Sequence, residues 1–362
     1  LELETAVPYP VVVTGGRWLS SDSVPRVQSF VSDELPLSLP PRDDRVQRSA
    51  TRITFEPPPF SPASLEVTSN IRGDARVYRT AAFWYAPPAD QHPLSDASVD
   101  DIDGSHSFLV VDTVSHTIRG QAGTFEVHED ILVPRGYRLV LEPGTTLRFA
   151  DNVGLITRGA LLFPGTAEAP IRLEALASGS EGWSGIAVLQ ASEKSIWRHV
   201  TVSGTHGFEA RGWGLTGAVT FFESDIEATA STFVGNRSED ALNVVSSNFD
   251  FEDLTVVDAA FDGLDVDFGR GRLSRGVFER IGWVGGGDAV DFSGSRATLD
   301  GTSFHDIGDK GISVGESSHI VVRAVTVSNA MAGVVVKDGS FLEVEGGKFQ
   351  GIQLAGLMAY TK

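Results

Sequence analysis

The chain has 362 residues, a formal net charge of -19, no cysteine, and 41% apolar against 21% charged residues. The composition is that of a globular protein and excludes a disordered one, and the absence of Cys excludes disulfides, thiolate metal sites and thiol nucleophiles. Acids outnumber bases 48 to 29, which argues against nucleic acid, because binding a polyanion depends on Lys and Arg neutralising phosphates.

No apolar run reaches the roughly 18 residues that a membrane-spanning helix needs, so no transmembrane segment is predicted. The sequence starts at Leu1 without a methionine and shows no charged-then-apolar leader. It reads as a mature or excised piece of an exported protein that is extracellular, at the cell surface or periplasmic.

Of the 17 prolines, 13 lie at or before Pro93, while only four of the 39 glycines lie at or before Gly104. Proline removes a backbone donor and breaks sheet ladders, so residues 1–105 form a Pro-rich region of extended segments or a small β-module. Its candidate strands are Pro10–Val13, Thr51–Phe55 and Arg76–Tyr85. The acidic stretch Asp96–Asp103 reads as a linker, residues 106–123 as linker plus a leading strand, and 124–362 as a separate domain.

From Ile131 the chain becomes a series of short apolar runs cut by Gly and Pro: Ile131–Val133, Leu139–Phe149, Gly159–Phe163, Pro170–Leu173 and Trp183–Val188. Downstream, strand starts align at Val219, Leu242, Leu264, Val290, Ile312, Val334 and Leu357, with steps of 23, 22, 26, 22, 22 and 23 residues. A second column, Phe233, Val256, Phe278, Phe304, Val327 and Phe349, shares the same 26-residue step. That step contains Gly285-Gly-Gly287, where a loop is inserted. Each repeat holds three short runs of period two and no 3.6-residue pattern. Leucine-rich repeats need a Leu/Asn consensus that is missing, and propeller blades are about twice as long. The prediction is an all-β, right-handed parallel β-helix of about 22–23 residues per coil, in which stacked coils bury a continuous core.

Stacking puts equivalent residues of adjacent coils about 4.8 Å apart. At the turn before the first aligned strand the column reads Asp240, Asp262, Asp288, Lys310, Ala332. Its outward column reads Asn243, Asp265, Asp291, Ser313, Val335, and the next outward column contains Asp267 and Lys337, with Glu316 and Asp338 alongside. Like charges at this spacing repel, and Asp and Asn form strands poorly. An acidic, solvated face with turn-forming Asp accounts for Asp240, Asp262 and Asp288 more readily than for Asp265, Asp267 and Asp291.

Three chemistries fit such a ladder: glycoside hydrolysis by paired carboxyls, elimination with Ca2+ and a lysine base, and structural Ca2+ binding. Candidate catalytic residues are Asp265, Asp288, Asp291 and Lys310. Candidate substrate- or cation-binding residues are Asp240, Asp262, Asp267, Glu316, Lys337 and Asp338, and candidate Ca2+ ligands are Asp262, Asp265, Asp288 and Asp291. His206 and His305 read as turn or surface residues, and His199 and His319 lack a partner signature. Trp183, Trp197 and Trp213 offer a sugar-stacking shelf, although Trp183 and Trp197 sit in strand patterns that suit packing. Gly182-Trp-Ser-Gly185 lacks nucleophile-elbow spacing.

The segment Ile131–Phe149 with Gly165-Thr-x-Glu-x-Pro170-Ile resembles the first coils of bacterial pectin-lyase-like right-handed β-helix proteins. The runs Asp262-Gly-Leu-Asp-Val-Asp-Phe268, Gly287-Asp-Ala-Val-Asp-Phe-Ser-Gly-Ser295, Asp309-Lys-Gly-Ile-Ser-Val-Gly-Glu316, Lys337-Asp-Gly-Ser340 and Ala359-Tyr-Thr-Lys362 are similar to a group of exported bacterial β-helix proteins found alongside spore-coat-H-like kinase domains. This resemblance covers about residues 124–362 and implies fold and export, not a reaction. The Asn-Thr-Asp, Asp-Asp and Gly-His-Gly pattern of polygalacturonases and the Asp-Pro-His-Glu block of alginate epimerases are absent, so no catalytic residue carries over.

The expectation is a secreted or cell-surface protein that interacts with a polysaccharide or other surface polymer, its enzymatic form being a hydrolase, lyase or epimerase. The alternative is a non-catalytic structural or adhesion module whose carboxylate ladder binds Ca2+ or meets a neighbouring subunit. Self-association at the C-terminal coil is a further expectation, because that coil presents a sheet edge.

Overall fold

The structure is a computed structural model that describes residues 2–3, 10–20, 26–29, 35–39, 51–52, 62–71, 73–81, 98–99, 102, 105–177, 182–210 and 213–361. It divides into two compact units, Leu1–Pro87 and Pro88–Lys362.

The first unit is a small antiparallel β-module. Its central strand, Val11–Ser20, pairs with Val27–Ser29, Leu37–Leu39 and Pro62–Ile71, and the last of these pairs with Asp74–Ala81. A separate bridge joins Glu2–Leu3 to Thr51–Arg52. The strand is bulged between Val13 and Gly15, so alternation buries Val11 and Val13 with Leu39 on one side of the bulge and, with its parity shifted, Trp18 with Leu65 on the other. The parts of the expected strands at 53–55 and 82–85 lie outside the described residues.

The second unit is a right-handed parallel β-helix of about ten turns. Parallel stacking starts at Thr117–Gly120, which pairs with Arg138–Leu141, and an antiparallel strand, Leu109–Asp112, closes its outer edge. Within the stretch read as a linker, Val99 and Ile102 are helical, and Ile102 is buried in the solenoid core. Among the described residues no helix is long and apolar enough to cross a membrane.

Each coil contributes one strand to each of three sheets. Both apolar columns predicted from spacing exist residue for residue. Val219, Leu242, Leu264, Val290, Ile312, Val334 and Leu357 are successive partners. So are Phe233, Val256, Phe278, Phe304, Val327 and Phe349. Stacking apolar on apolar is what a coil needs, since no coil can bury its inner face alone. Phe278 and Phe304 lie with ring centroids 5.3 Å apart, inside the favourable range for aromatic pairs. Trp183 and Trp197 are fully buried and stack on Phe149 and Phe163, so neither forms a sugar-stacking shelf; the side chain of Trp213 lies outside the described residues.

From Glu223 onward the coils turn at residues of positive φ, mostly one at a time. One corner column is Asp258, Arg280, Asp306 and Asn329, and another contains Asp253, Arg275, Gly301 and Ala324. A left-handed residue bends the chain within one position, which lets short strands follow one another without a loop. A third corner carries an internal serine ladder. Ser247, Ser295, Ser318 and Ser340 each accept, through Oγ, the N–H of Ser224, Gly269, Ser295 and Ser318 respectively, at 2.7–3.1 Å.

Ala324 is exposed and holds φ 49°, a conformation costing an L-residue about 1–2 kcal/mol. The Ala324→Gly variant is expected to gain about 1 kcal/mol of stability, offset in part by the greater entropy of the unfolded chain. Urea denaturation of the two proteins side by side checks this, and a loss would mean the corner is unstrained.

Candidate functional site

The site grows from a break in strand alternation. The residue before each aligned strand start is small: Ala218, Ala241, Gly263, Ala289, Gly311 and Gly333. Ala241, Ala289 and the strand-start residues after them all belong to the core. A Cβ on Gly263 would come within 3.0 Å of the Phe278 ring, and one on Gly333 within 2.6 Å of the Phe349 ring. Two consecutive residues thus face inward, and the chain bends outward-concave between them. The flanking positions, three apart, then look into the same concavity: Asp240 with Asn243, Asp262 with Asp265, Asp288 with Asp291.

The concavity explains a burial that alternation did not foresee. Asp240 is 2% exposed, Asn243 2%, Asp288 6% and Ser313 0%. An acidic face in free contact with solvent is therefore the wrong description of Asp240 and Asp288. Above the acids, beyond Asn243 and Thr220, the same outward column becomes apolar, with Ala187 and Ile156 packed beneath Phe208 and Leu215 of an insertion between coils. Below them it passes through Ser313 and the buried Val335 to Met358. The acids are a local feature of three middle coils.

Their interactions follow the axis of the solenoid. Asn243 Nδ2 donates to Asp265 Oδ2 at 3.1 Å, and Asp265 stacks on Asp291, which stacks on Ser313. In the neighbouring column the Asp288 N–H donates to Asp262 Oδ1 at 2.8 Å. The Lys310 N–H donates to Asp288 Oδ1 at 3.0 Å, and Lys310 Nζ to both Asp288 oxygens at 3.1 and 3.2 Å and to Asp309 at 2.5 Å. Three buried polar atoms in this region have no hydrogen-bond partner: Asp240 Oδ2, Asp291 Oδ1 and Ser313 Oγ. Buried polar atoms are nearly always satisfied, so these orphans mark where a proton or a ligand belongs.

Burial disfavours the charged carboxylate, and like charges add to the effect. Burial, reinforced by the charges of Asp240, Asp267 and Asp291, pushes Asp265 up to about 9. Burial pushes Asp240 up to about 8 against a hydrogen bond with Thr216. Asp262 rises to about 7, again through burial, with its hydrogen bond to the Asp288 amide opposing. Asp267 is raised by burial and by the charge of Glu316, and Asp288 by burial in spite of Lys310. Burial works against the Lys310 charge, but Asp309 and Asp288 outweigh it and hold its pKa above the ordinary lysine range. That pairing suits a counter-ion and not a proton acceptor.

Of the sequence-derived candidates, Asp240, Asp262, Asp265, Asp267, Asp288, Asp291 and Lys310 converge. Glu316 is exposed at the rim. Lys337 folds over Gly315, where a Cβ would come within 2.9 Å of its Cε, and among the described residues it forms no ion pair with the acids. Asp262, Asp288 and Asp291 bring carboxylate oxygens within 4.8 Å of one another; Asp265 is outside that trio. Spacing alone did not reveal the small-residue column that makes the groove, although Ala218 to Gly333 repeat with the same period as the strand starts.

A family model described as "Right handed beta helix region" matches residues 216–362, the part containing the groove. No curated protein matches the chain. Among solved structures, tailspike protein 2 of an Escherichia coli O157:H7 bacteriophage has 14% identity and a TM-score of 0.38 over 78% of this chain and 40% of its own length. The Streptococcus pneumoniae surface protein and adhesin PfbA has 10% identity and a TM-score of 0.26 over 73% of this chain and 94% of its own. The family match covers less than half of the chain and bears on its fold alone, the right-handed β-helix.

The raised carboxyls set the sign of a pH effect. Asp240, Asp262 and Asp265 keep protons in the folded protein at pH values where the unfolded chain, with carboxyls near 3.8, has lost them. The stability they contribute is full below about pH 4, is lost progressively between about pH 4 and their folded values of about 7 to 9, and falls no further above those. The melting temperature is expected to fall over this range, and Asp265→Asn, which cannot ionise, to raise it at about pH 9 and flatten the decline. Calorimetric scans at stepped pH check this; a flat profile for the parent protein would refute the buried-acid account.

Proposed function

We propose that the groove binds an extended polysaccharide on a secreted or cell-surface protein, and that Asp265 and Asp291 form the proton-transfer pair of a glycoside hydrolase. One observation carries the reading: a carboxyl held protonated at neutral pH, Asp265, stacks directly on a second carboxyl, Asp291, whose Oδ1 has no partner. Hydrolysis of a glycosidic bond needs a carboxylic acid to protonate the leaving oxygen and a second carboxyl acting as nucleophile or base. Lyase and epimerase chemistry fit less well, because Lys310 is committed to Asp288 and Asp309. The concentration of aspartates, on a chain of charge -19, favours neutral or amine-bearing glycans over polyuronates.

The test is release of reducing ends from a panel of neutral and partly deacetylated polysaccharides. Asp265→Asn is expected to lower kcat about 10²–10⁴-fold, the usual contribution of general acid–base catalysis, with no loss in melting temperature. An unchanged rate in that variant, or no turnover and no binding by the parent protein on any polymer, would overturn the proposal.

A second reading rests on a different observation, the mutual approach of Asp262, Asp288 and Asp291 within 4.8 Å. Ca2+ prefers several carboxylate and hydroxyl oxygens, and the unpartnered Asp291 Oδ1 and Ser313 Oγ fit that donor set. In this reading the module is structural. Millimolar Ca2+ is expected to raise the melting temperature through mass action, and Asp262→Asn with Asp291→Asn to abolish the shift; no Ca2+ response in the parent protein would exclude it.

A further inference from the structure

Beside the acids, at the corner column Asp258, Arg280, Asp306 and Asn329, lies a shallow pocket of about 500 Å³ whose remaining lining includes Trp283 and Ile307. Trp283 belongs to the insertion that makes one coil 26 residues long, and its side chain is 61% exposed. A single exposed apolar residue needs no explanation by itself. What sets Trp283 apart is how firmly its loop is held and what surrounds it.

The loop is pinned to two coils. The Val284 N–H donates to the Ala260 carbonyl at 3.2 Å, the Gly286 N–H to Gly282 at 3.1 Å, and the Asp309 N–H to Gly287 at 3.0 Å. Its backbone lies so close to the coils on either side that a Cβ on Gly308 would sit 2.5 Å from the Gly282 carbonyl oxygen, and one on Gly287 2.6 Å from the Phe261 backbone. Glycine at both positions permits that contact. The indole is thus carried by a fixed backbone, which reduces the ordering cost of a partner.

The exposed lining of the pocket is mostly apolar, and Asp258, Arg280, Asp306 and Asn329 are its polar groups. Asp258 accepts from Arg280 Nε and Nη2 at 2.6 and 3.2 Å, and Asn329 Nδ2 donates to Asp306 Oδ1 at 2.9 Å. These pairs orient the groups and leave guanidinium donors and carboxylate lone pairs unused. A pyranose ring has an apolar C–H face and a rim of hydroxyls, the complement of an aromatic face set among oriented donors and acceptors. Asp258 and Asp306 precede Asp262 and Lys310 by four residues, and Trp283 precedes Asp288 by five, so pocket and acidic groove adjoin on the same coils.

We propose that Trp283 is the stacking platform of a sugar subsite, with Arg280, Asp306 and Asn329 receiving the hydroxyls, which anchors one ring of the polysaccharide held in the acidic groove. The inference rests on the glycan reading of that groove but concerns binding and not proton transfer, so the two separate experimentally. Cellohexaose, laminarihexaose, maltohexaose and chitohexaose are titrated into the full chain, with tryptophan fluorescence and calorimetry as readouts. At least one is expected to shift the emission of the parent protein to the blue. Trp283→Ala should weaken that ligand about tenfold, a modest stacking contribution, while Trp283→Tyr restores most of the affinity and neither variant changes the melting temperature. Asp265→Asn should bind as the parent does while losing turnover. Unchanged affinity in Trp283→Ala would overturn the subsite and leave the groove reading standing. Turnover intact in Asp265→Asn, with affinity lost in Trp283→Ala, would overturn the groove chemistry and keep the subsite, and no binding by the parent protein would overturn both.

Discussion

In-register parallel stacking governs this molecule. Each residue sits directly on its counterpart one coil away, about 4.8 Å distant, so whatever one coil places at a position is multiplied along the axis. For apolar positions the result is a core of stacked Phe, Val, Leu and Ile running the length of the solenoid. For Ser247, Ser295, Ser318 and Ser340 it is a hydrogen-bonded ladder. For the aspartates it is an enforced approach of like charges, which the molecule relieves by protonation, by Asp262 and Asp288 accepting backbone N–H groups, and by the Lys310 ion pair.

The outer faces show the ordinary way to stack charge. Arg272 bridges to Asp250, Arg275 to Asp253 and Glu252, and Arg323 to Glu345, each across one coil. Opposite charges alternate there, and at exposed positions such pairs contribute little, about 0–1 kcal/mol each. Against that pattern, three coils of aspartate with one lysine at the end are an exception, and the burial of Asp240 and Asp288 makes it a costly one. Departures of this kind from local consistency are where function is to be sought.

From Val219 onward the repeat was legible because a solenoid writes its register into the sequence: Leu242, Leu264 and Val290 can be aligned by counting. The same counting put Asp265 on Asp291. It could not show the groove, because period-two alternation assumes a flat strand, and the bend depends on Gly263 and Ala289 facing inward beside Leu264 and Val290. The covering of the upstream column by Phe208 and Leu215 is a long-range contact with no local signature. Corner residues were equally hidden. Glycine announces a positive φ, but Arg280, Phe268 and Ala324 adopt one too, held there by the ladders on either side. Trp183 and Trp197 lie in strand patterns that suit packing, and their partners, Phe149 and Phe163, follow from the coil stacking.

The position of the acidic coils along the rod has a mechanical implication. A solenoid is nearly one-dimensional, each coil bonded only to its neighbours, and such arrays ordinarily fray from their ends. Here the repulsive coils, Asp240–Val245, Asp262–Asp267 and the one beginning at Val290, are the fifth, sixth and seventh of the ten strands in their sheet. Alkaline conditions therefore put the weakest junction in the middle. The rod should part there into two shorter stacks, each still ordered, before either tip unravels.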